Sequence, residues 1–174
     1  MLYTLSVDVS FIYMATDLHN LIIVESPSKA KTLKRFLGND YQIEASVGHV
    51  RDLPKSDLGV DVDNGFKPTY VASKDKSKVI TQLKKLLKNA STLYLATDPD
   101  REGEAIAWHL MELLDPKIPV KRLAFHEITK TAIQESFDHI RDIDQSLVSA
   151  QEARRILDRL WGYLVSKKLW FNVK

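Results

Sequence analysis

The chain predicts an α/β fold with a mostly parallel sheet flanked by helices, and three features of its 174 residues carry that expectation. Continuous apolar runs at 21–24 and 93–96 have the character of buried strands, and 120–125 reads as a third strand of the same sheet. Segments with apolar residues at helical spacing separate them, the alternation that favours right-handed parallel βαβ units. After Glu127 the strand pattern ceases and the chain becomes strongly helical.

The elements follow in order. The run Leu21, Ile22, Ile23, Val24 reads as a buried strand ending at Glu25. Ser26 suits an N-cap and Pro27 the first helical position, so a helix is expected to Leu37, stopped by Gly38 and Asn39. Residues 41–50 read as a second strand leading to Gly48 and His49. Residues 53–68, punctuated by Pro54, Gly59, Gly65 and Pro68, read as a long loop. Val79, Ile80, Leu83, Leu86 and Leu87 mark a helix over 77–88. The strand at 93–96 then leads into an acidic loop, a helix over about 103–114 and a third strand of the same sheet at 120–125. Two helices are expected beyond, over 129–140 and 144–165. The second carries Leu147, Ala150, Ala153, Ile156, Leu157, Leu160 and Leu164 along one face. Residues 1–19 are partly apolar but lack a basic region and contain Asp8 and Asp17, so they read as neither signal peptide nor membrane span. The expected organisation is an extension of unassigned role (1–19), an α/β domain (20–128) and the start of a helical domain (129–174).

The composition, 44% hydrophobic and 28% charged, is that of an ordinary globular protein. The absence of cysteine excludes disulfides and thiolate metal sites and fits a reducing, cytoplasmic setting. A net charge of +2 says little, but its distribution says more. Lys29, Lys31, Lys34 and Arg35 form one cluster and Lys74, Lys76 and Lys78 a second; Arg154, Arg155, Arg159, Lys167 and Lys168 form a third. Basic patches around an acidic loop suit a polyanion held against a metal, although solvated helix faces give similar clusters.

The chemistry concentrates in Thr97-Asp98-Pro99-Asp100-Arg101-Glu102-Gly103-Glu104, directly behind the apolar run at 93–96. Alternate oxygen donors on a short loop suit Mg²⁺. The same run also reads as a solvated turn before a helix whose first turn favours Glu. Glu25 ends the first strand as Asp98, Asp100 and Glu102 follow another. If those strands are neighbours, four carboxylates converge, and their repulsion raises at least one pKa unless cations intervene. A metal together with a protonated acid is the set that phosphodiester transfer needs.

The motifs go further. Val24-Glu25-Ser26-Pro27-Ser28-Lys29-Ala30-Lys31-Thr32, Gly48-His49-Val50-Arg51-Asp52-Leu53-Pro54-Lys55 and Ala96-Thr97-Asp98-Pro99-Asp100-Arg101-Glu102-Gly103-Glu104-Ala105-Ile106-Ala107-Trp108-His109 resemble, in register, the Rossmann-like Toprim domain of bacterial type IA DNA topoisomerases. Phe125-His126-Glu127-Ile128-Thr129 and the run from Ala150 to Tyr163 extend the resemblance in the same order. The resemblance implies that Glu25 protonates the leaving 3′ oxygen and acts in reverse on religation. It implies Mg²⁺ on Asp98, Asp100 and Glu102, and Lys29 near the scissile phosphate. Arg154, Arg155, Asp158 and Tyr163 match a helix that grips single-stranded DNA and holds a base upstream of the break. The activity implied is ATP-independent relaxation of negative supercoils through a 5′-phosphotyrosine, by a monomer acting on single-stranded or underwound DNA, away from membranes.

In that family the nucleophilic tyrosine lies in a later domain, and Tyr3, Tyr13, Tyr41, Tyr70, Tyr94 and Tyr163 match none of its contexts. The chain is therefore expected to be an N-terminal piece, inactive in relaxation by itself. It departs from the pattern at Ser166-Lys167-Lys168, where many relatives have Ser-Pro, and at His126, commonly Asn. Other readings stay open: topoisomerase III or reverse gyrase as parent, a Toprim primase or nuclease, or a module that only binds metal and single strands. Plainer roles are a surface pair for Arg154 and Asp158, core packing for Trp161 and Tyr163, and structural roles for His49, His109 and His126.

Overall fold

In the computed structural model, which describes residues 19–166 together with Lys168 and Leu169, strand β1 (His19–Val24) lies inside a four-stranded sheet. Residues 1–18 of the expected 1–19 extension, Lys167 and residues 170–174 lie outside the described residues. Helix α1 (Pro27–Leu37) follows β1, with Ser26 as its N-cap, and leads to β2 (Tyr41–Ala45). Four two-residue strands come next: β3 (Arg51–Asp52), β4 (Val60–Asp61), β5 (Lys67–Pro68) and β6 (Val71–Ala72). Then come α2 (Ser77–Leu87), β7 (Ala90–Leu95), α3 (Arg101–Leu114) and β8 (Val120–Arg122). Helices α4 (Lys130–Asp138) and α5 (Gln145–Leu160) follow, the latter running into a π-helical turn, Trp161–Val165.

The sheet order is β2-β1-β7-β8 and every neighbouring pair is parallel, so the expected architecture holds. Ile22 pairs with Ile43 on one side and Tyr94 on the other. Because side chains alternate along a strand, β1 feeds two cores. Leu21 and Ile23 pack with Leu93, Leu95, Ile80, Leu83, Ile106 and Leu110 under α2 and α3. Ile22 and Val24 pack with Leu33, Ile43, Tyr94, Leu123 and Ile133 under α1 and α4. Burial on both faces is why these strands lack polar alternation. From β1 the chain steps outward to β2, then returns across the sheet to β7 on the opposite side of β1. That reversal is a topological switch point, and it opens a crevice beyond the carboxyl ends of β1 and β7.

Some boundaries differ from expectation. The strand predicted over 41–50 stops at Ala45 because the backbone turns at Val47 (φ 58) and Gly48 (φ 83). Ser46 N–H then donates to Val24 O and Gly48 N–H to Glu25 O, at 2.8 and 2.9 Å. The segment predicted as a loop over 53–68 contains the antiparallel pair β4–β5, and β3 pairs antiparallel with β6. Helix α3 starts two residues earlier than predicted because Asp100 caps it, accepting from Gly103 N–H at 2.7 Å. Strand β8 stops at Arg122, which bridges to Arg141 on its outer side. Along the apolar line of α5, Leu147, Ile156 and Leu160 are half-buried and Leu157 is 64% exposed; Trp161, just beyond the helix, is 66% exposed, and Val148 is the buried residue of the helix. Among the described residues no helix is long and apolar enough to cross a membrane.

Candidate functional site

The last residue of β1 is Val24 and the last of β7 is Leu95, so Glu25 and the acidic segment 97–102, a loop running into the first turn of α3, emerge side by side at the switch point. Glu25, Asp98, Asp100 and Glu102 line one open cavity of about 420 Å³ together with Gly48 and Gly103. Lys29, one helical turn beyond Glu25 in α1, places its Nζ between the carboxylates and donates to Glu25 Oε1 and to Asp98 Oδ1. Glu25 Oε2 accepts from the Asp98 main-chain N–H at 3.1 Å. Burial pulls the Lys29 ammonium down, but the hydrogen bonds to Asp98 and Glu25 outweigh it and its pKa rises above the ordinary 10.5. Burial likewise opposes ionisation of Asp98, yet its hydrogen bonds with Lys29 and Glu25 prevail and hold it below the usual 3.8.

The other two acids are held differently. Asp100 spends Oδ1 on capping α3, whereas Glu102 is exposed and faces His49, with Nε2 and Oε1 3.3 Å apart. Gly103 is required by close approach: a Cβ there would lie 2.1 Å from the Asp98 carbonyl oxygen. Thr97 Oγ1 donates to Gly103 O at 2.7 Å and closes the loop on itself. As placed, no group of three or more His, Asp or Glu side chains among the described residues converges tightly enough to hold a metal. The donors are all carboxylate oxygens around one water-accessible cavity, a chemistry that fits a hard cation. Asp98, the free oxygen of Asp100 and the exposed Glu102 are the groups available for it.

A buried network beneath the loop went unassigned at the sequence level. Arg122 and Glu104 are 1% and 0% exposed, and the guanidinium donates to Glu104 Oε1 through Nε at 3.1 Å and Nη2 at 2.7 Å. The same Nη2 donates to the Asp98 carbonyl at 2.8 Å, and Nη1 donates to the Leu95 and Leu123 carbonyls. Glu104 also accepts from Arg141 at 2.6 Å and from the Asp144 N–H at 3.0 Å. The signal was a carboxylate leading the apolar run Ala105, Ile106, Ala107, the position of a buried charge needing a partner.

The residues predicted to grip a strand lie on and just beyond α5 and divide into two sets. Arg154 and Asp158 face solvent 3.9 Å apart, 56% and 61% exposed. Arg155 instead makes a bidentate bridge to Asp52 at 2.8 and 2.7 Å. Burial raises the Asp52 pKa, but the Arg155 hydrogen bond leads the contributions that bring it below 3.8. Arg159 donates to the Pro54 and Asp57 carbonyls at 2.6 and 3.0 Å, and Tyr163 reaches the Ser56 carbonyl at 3.4 Å. Arg155, Arg159 and Tyr163 therefore dock α5 on the 52–57 loop, while Leu157 and Trp161 look outward. Of the histidines, His109 is buried in the α3–α5 region, where desolvation brings its pKa down from 6.5 to about 4.

Comparison with known proteins agrees with this geometry. The Toprim domain model matches residues 20–128. DNA topoisomerase 1 of Synechococcus elongatus is 55% identical over 167 residues, 88% of this chain and 19% of that protein. DNA topoisomerase 1 of Streptomyces coelicolor is 57% identical over 166 residues, 88% of this chain and 17% of that protein. The structure of full-length topoisomerase I from Thermotoga maritima superimposes with a TM-score of 0.80 at 49% identity, covering 86% of this chain and 26% of that one. The chain thus spans about a fifth of the length of the curated relatives it matches. A parallel sheet with a switch-point crevice, acids on both of its strand ends and a family match over most of the chain lead to one conclusion: this chain belongs to the Toprim domain family.

Proposed function

We propose that this chain is the N-terminal part of an ATP-independent type IA DNA topoisomerase, which cuts and rejoins one strand through a 5′-phosphotyrosine to relax negative supercoils. In this reading residues 20–128 form the Toprim domain, and 129–174 begin a helical domain that grips single-stranded or underwound DNA. The observation that carries it is the shared cavity: Glu25 from the end of β1 and three acids from the loop after β7, with Lys29 between Glu25 and Asp98. Relatives over this same stretch carry the name DNA topoisomerase 1.

Each residue has a task. Glu25, held through Oε2 by the Asp98 N–H, takes up a proton once Lys29 turns away, delivers it to the departing 3′ oxygen and recovers it on religation. Lys29 neutralises the paired carboxylates in the resting state and turns its ammonium to the scissile phosphate when DNA enters. Asp98, Asp100 and Glu102 would hold Mg²⁺, which when bound supplies charge neutralisation at the phosphate. Asp100 remains the cap of α3 throughout, so the loop keeps its shape as the strand arrives. The attacking tyrosine comes from a domain outside this chain, and the chain alone is expected to be inactive in relaxation.

The test is a chimera in which this chain's residues 20–169 replace the corresponding segment of the Thermotoga maritima topoisomerase I. It should relax negatively supercoiled plasmid with Mg²⁺ and without ATP. After a detergent quench it should leave end-labelled single-stranded DNA joined to protein through its 5′ phosphate. Glu25→Gln should cost on the order of a hundredfold in rate, the usual contribution of a positioned acid. Free cut ends without a protein link would identify a Toprim nuclease. A folded chimera giving neither adduct nor relaxation would end the topoisomerase reading.

A further inference from the structure

One buried carboxylate joins the acid loop to the start of α5. Glu104, on the first turn of α3, has no exposed surface. Toward the acids, Arg122 donates to Glu104 Oε1 through Nε and Nη2 and, through the same Nη2, to the Asp98 carbonyl at 2.8 Å. Toward α5, Arg141 Nη2 donates to Oε1 at 2.6 Å and the Asp144 N–H donates to Oε2 at 3.0 Å. Asp144 is the N-cap of α5, its side chain accepting from the Ser146 and Leu147 N–H groups. Arg122 and Arg141 also exchange main-chain hydrogen bonds at 3.2 and 3.3 Å.

These contacts exceed what burying one charge requires. A single arginine neutralises a carboxylate, yet a second arginine and a helix-capping N–H reach the same two oxygens from another element. The start of α5 therefore cannot shift against α3 without breaking bonds to Glu104. Glu104 in turn holds the guanidinium that fixes the Asp98 carbonyl. The acid segment has little slack of its own, because Gly103 presses on that carbonyl with no room for a Cβ. Close-packed groups of this kind transmit a displacement rather than absorb it. Arg154 stands about 15 Å further along the α5 axis, at 1.5 Å per residue from Asp144.

Resting on the reading above in which α5 grips a strand, we propose that Glu104 is a positioning residue coupling strand binding on α5 to cation binding by Asp98, Asp100 and Glu102. A strand seated on α5 fixes the start of that helix. Glu104 and Arg122 pass the order on to the Asp98 carbonyl, so the acid segment has less freedom left to lose when the cation arrives. The cation then binds more tightly, and by reciprocity it tightens the strand by the same factor. Glu104 touches neither ligand, being wholly buried.

The test titrates the unaltered chain with Mn²⁺, read from the electron-spin-resonance signal of the free ion, with and without a saturating oligothymidylate of about eight nucleotides. The strand should tighten Mn²⁺ about fivefold, and Mn²⁺ should tighten a fluorescein-labelled strand, read by anisotropy, by the same factor. Arg141→Met cuts the α5 arm and leaves Arg122 on Glu104. Both it and Glu104→Gln should bring the factor to within about twofold of unity with each ligand still binding. A purely structural Glu104 would alter urea unfolding and leave the factor as it was. Arg141→Met, whose side chain is 34% exposed, decides alone where Glu104→Gln does not fold. A factor that survives Arg141→Met comes from DNA phosphate touching the cation and overturns the coupling role. An unaltered chain whose two ligands ignore each other, or which fails to bind one of them, overturns it as well. Relaxation by the chimera judges the topoisomerase reading separately from all of these outcomes.

Discussion

The end of the sheet and the last helix are both rich in charge, yet they are built by opposite means. At the sheet end, acids are fixed by main chain: Glu25 follows four buried residues, 21–24, and the Asp98 carbonyl and N–H are both held. On α5, attachment runs through long side chains, the Arg155–Asp52 bridge and the Arg159 contacts to loop carbonyls, while Leu157 and Trp161 stand in solvent. The comparison teaches that charge clustering alone does not define a site. Where the backbone under the charges is buried and satisfied, their geometry is set before a ligand arrives. Where it is not, a partner or the rest of a protein decides it.

Four tests break or sharpen this contrast, in falling order of effect. Arg122→Met strips the fully buried one of two arginine partners from Glu104, leaving the half-buried Arg141, and frees the Asp98 carbonyl. Loss of a partner from a buried ion pair costs roughly 3–5 kcal/mol, so urea unfolding should show a fall of that size. Replacing both, Arg122→Met with Glu104→Leu, should recover part of it. A double variant no better than the single would mean the network acts through something other than the stranded charge.

His109 sharpens the contrast from the interface side. Its folded pKa of about 4 lies below the ordinary 6.5, so between those values the unfolded chain takes up a proton that the folded chain refuses. Stability is therefore full above pH 6.5 and falls by roughly 3 kcal/mol as pH drops to about 4. Chemical denaturation of His109→Gln across this window should lose most of that slope. An unchanged slope would place the dependence elsewhere.

The Asp52–Arg155 bridge is partly exposed, with side chains 43% and 36% accessible, so its contribution is screened. Asp52→Asn should cost about 1 kcal/mol or less. The folded pKa of Asp52 is depressed, so the bridge contributes fully above about 3.8 and is lost as pH falls further. A midpoint in denaturant that ignores both pH below this value and added salt would show that Arg155 packs rather than pairs. The smallest effect belongs to Arg154→Ala, which removes an exposed pair at 3.9 Å and should leave stability within about 0.5 kcal/mol. Its readout is oligonucleotide affinity: a loss there with stability intact assigns Arg154 to binding, and no change in either assigns it to the solvated surface.

Much of the sheet end was legible in residue order. Ser26 and Pro27 announced α1 to the residue, and unbroken apolar runs announced strands buried on both faces. Local backbone chemistry and burial act over a few positions, and the sequence displays both. Helix α5 was legible as a helix, but what packs against it was not. Helical spacing reveals which residues share a side but not what stands opposite. Apolar periodicity pointed to Leu157, whereas the bridges that Arg155 and Arg159 make to residues about a hundred positions earlier dock the helix.

Residue types and local spacing determined the elements of this protein, its α/β class and the presence of four carboxylates at strand ends. Tertiary structure alone decided that β1 and β7 are neighbours, which turns two separate acidic strand ends into one cavity. It also decided that Arg122 would hold the acid loop from below and that His109 and Arg51 would share a second cavity with unpaired atoms. The reason is physical. Secondary structure is fixed by interactions a few residues long, whereas strand order, buried ion pairs and cavities arise from contacts between segments distant in the chain, and no local pattern records them.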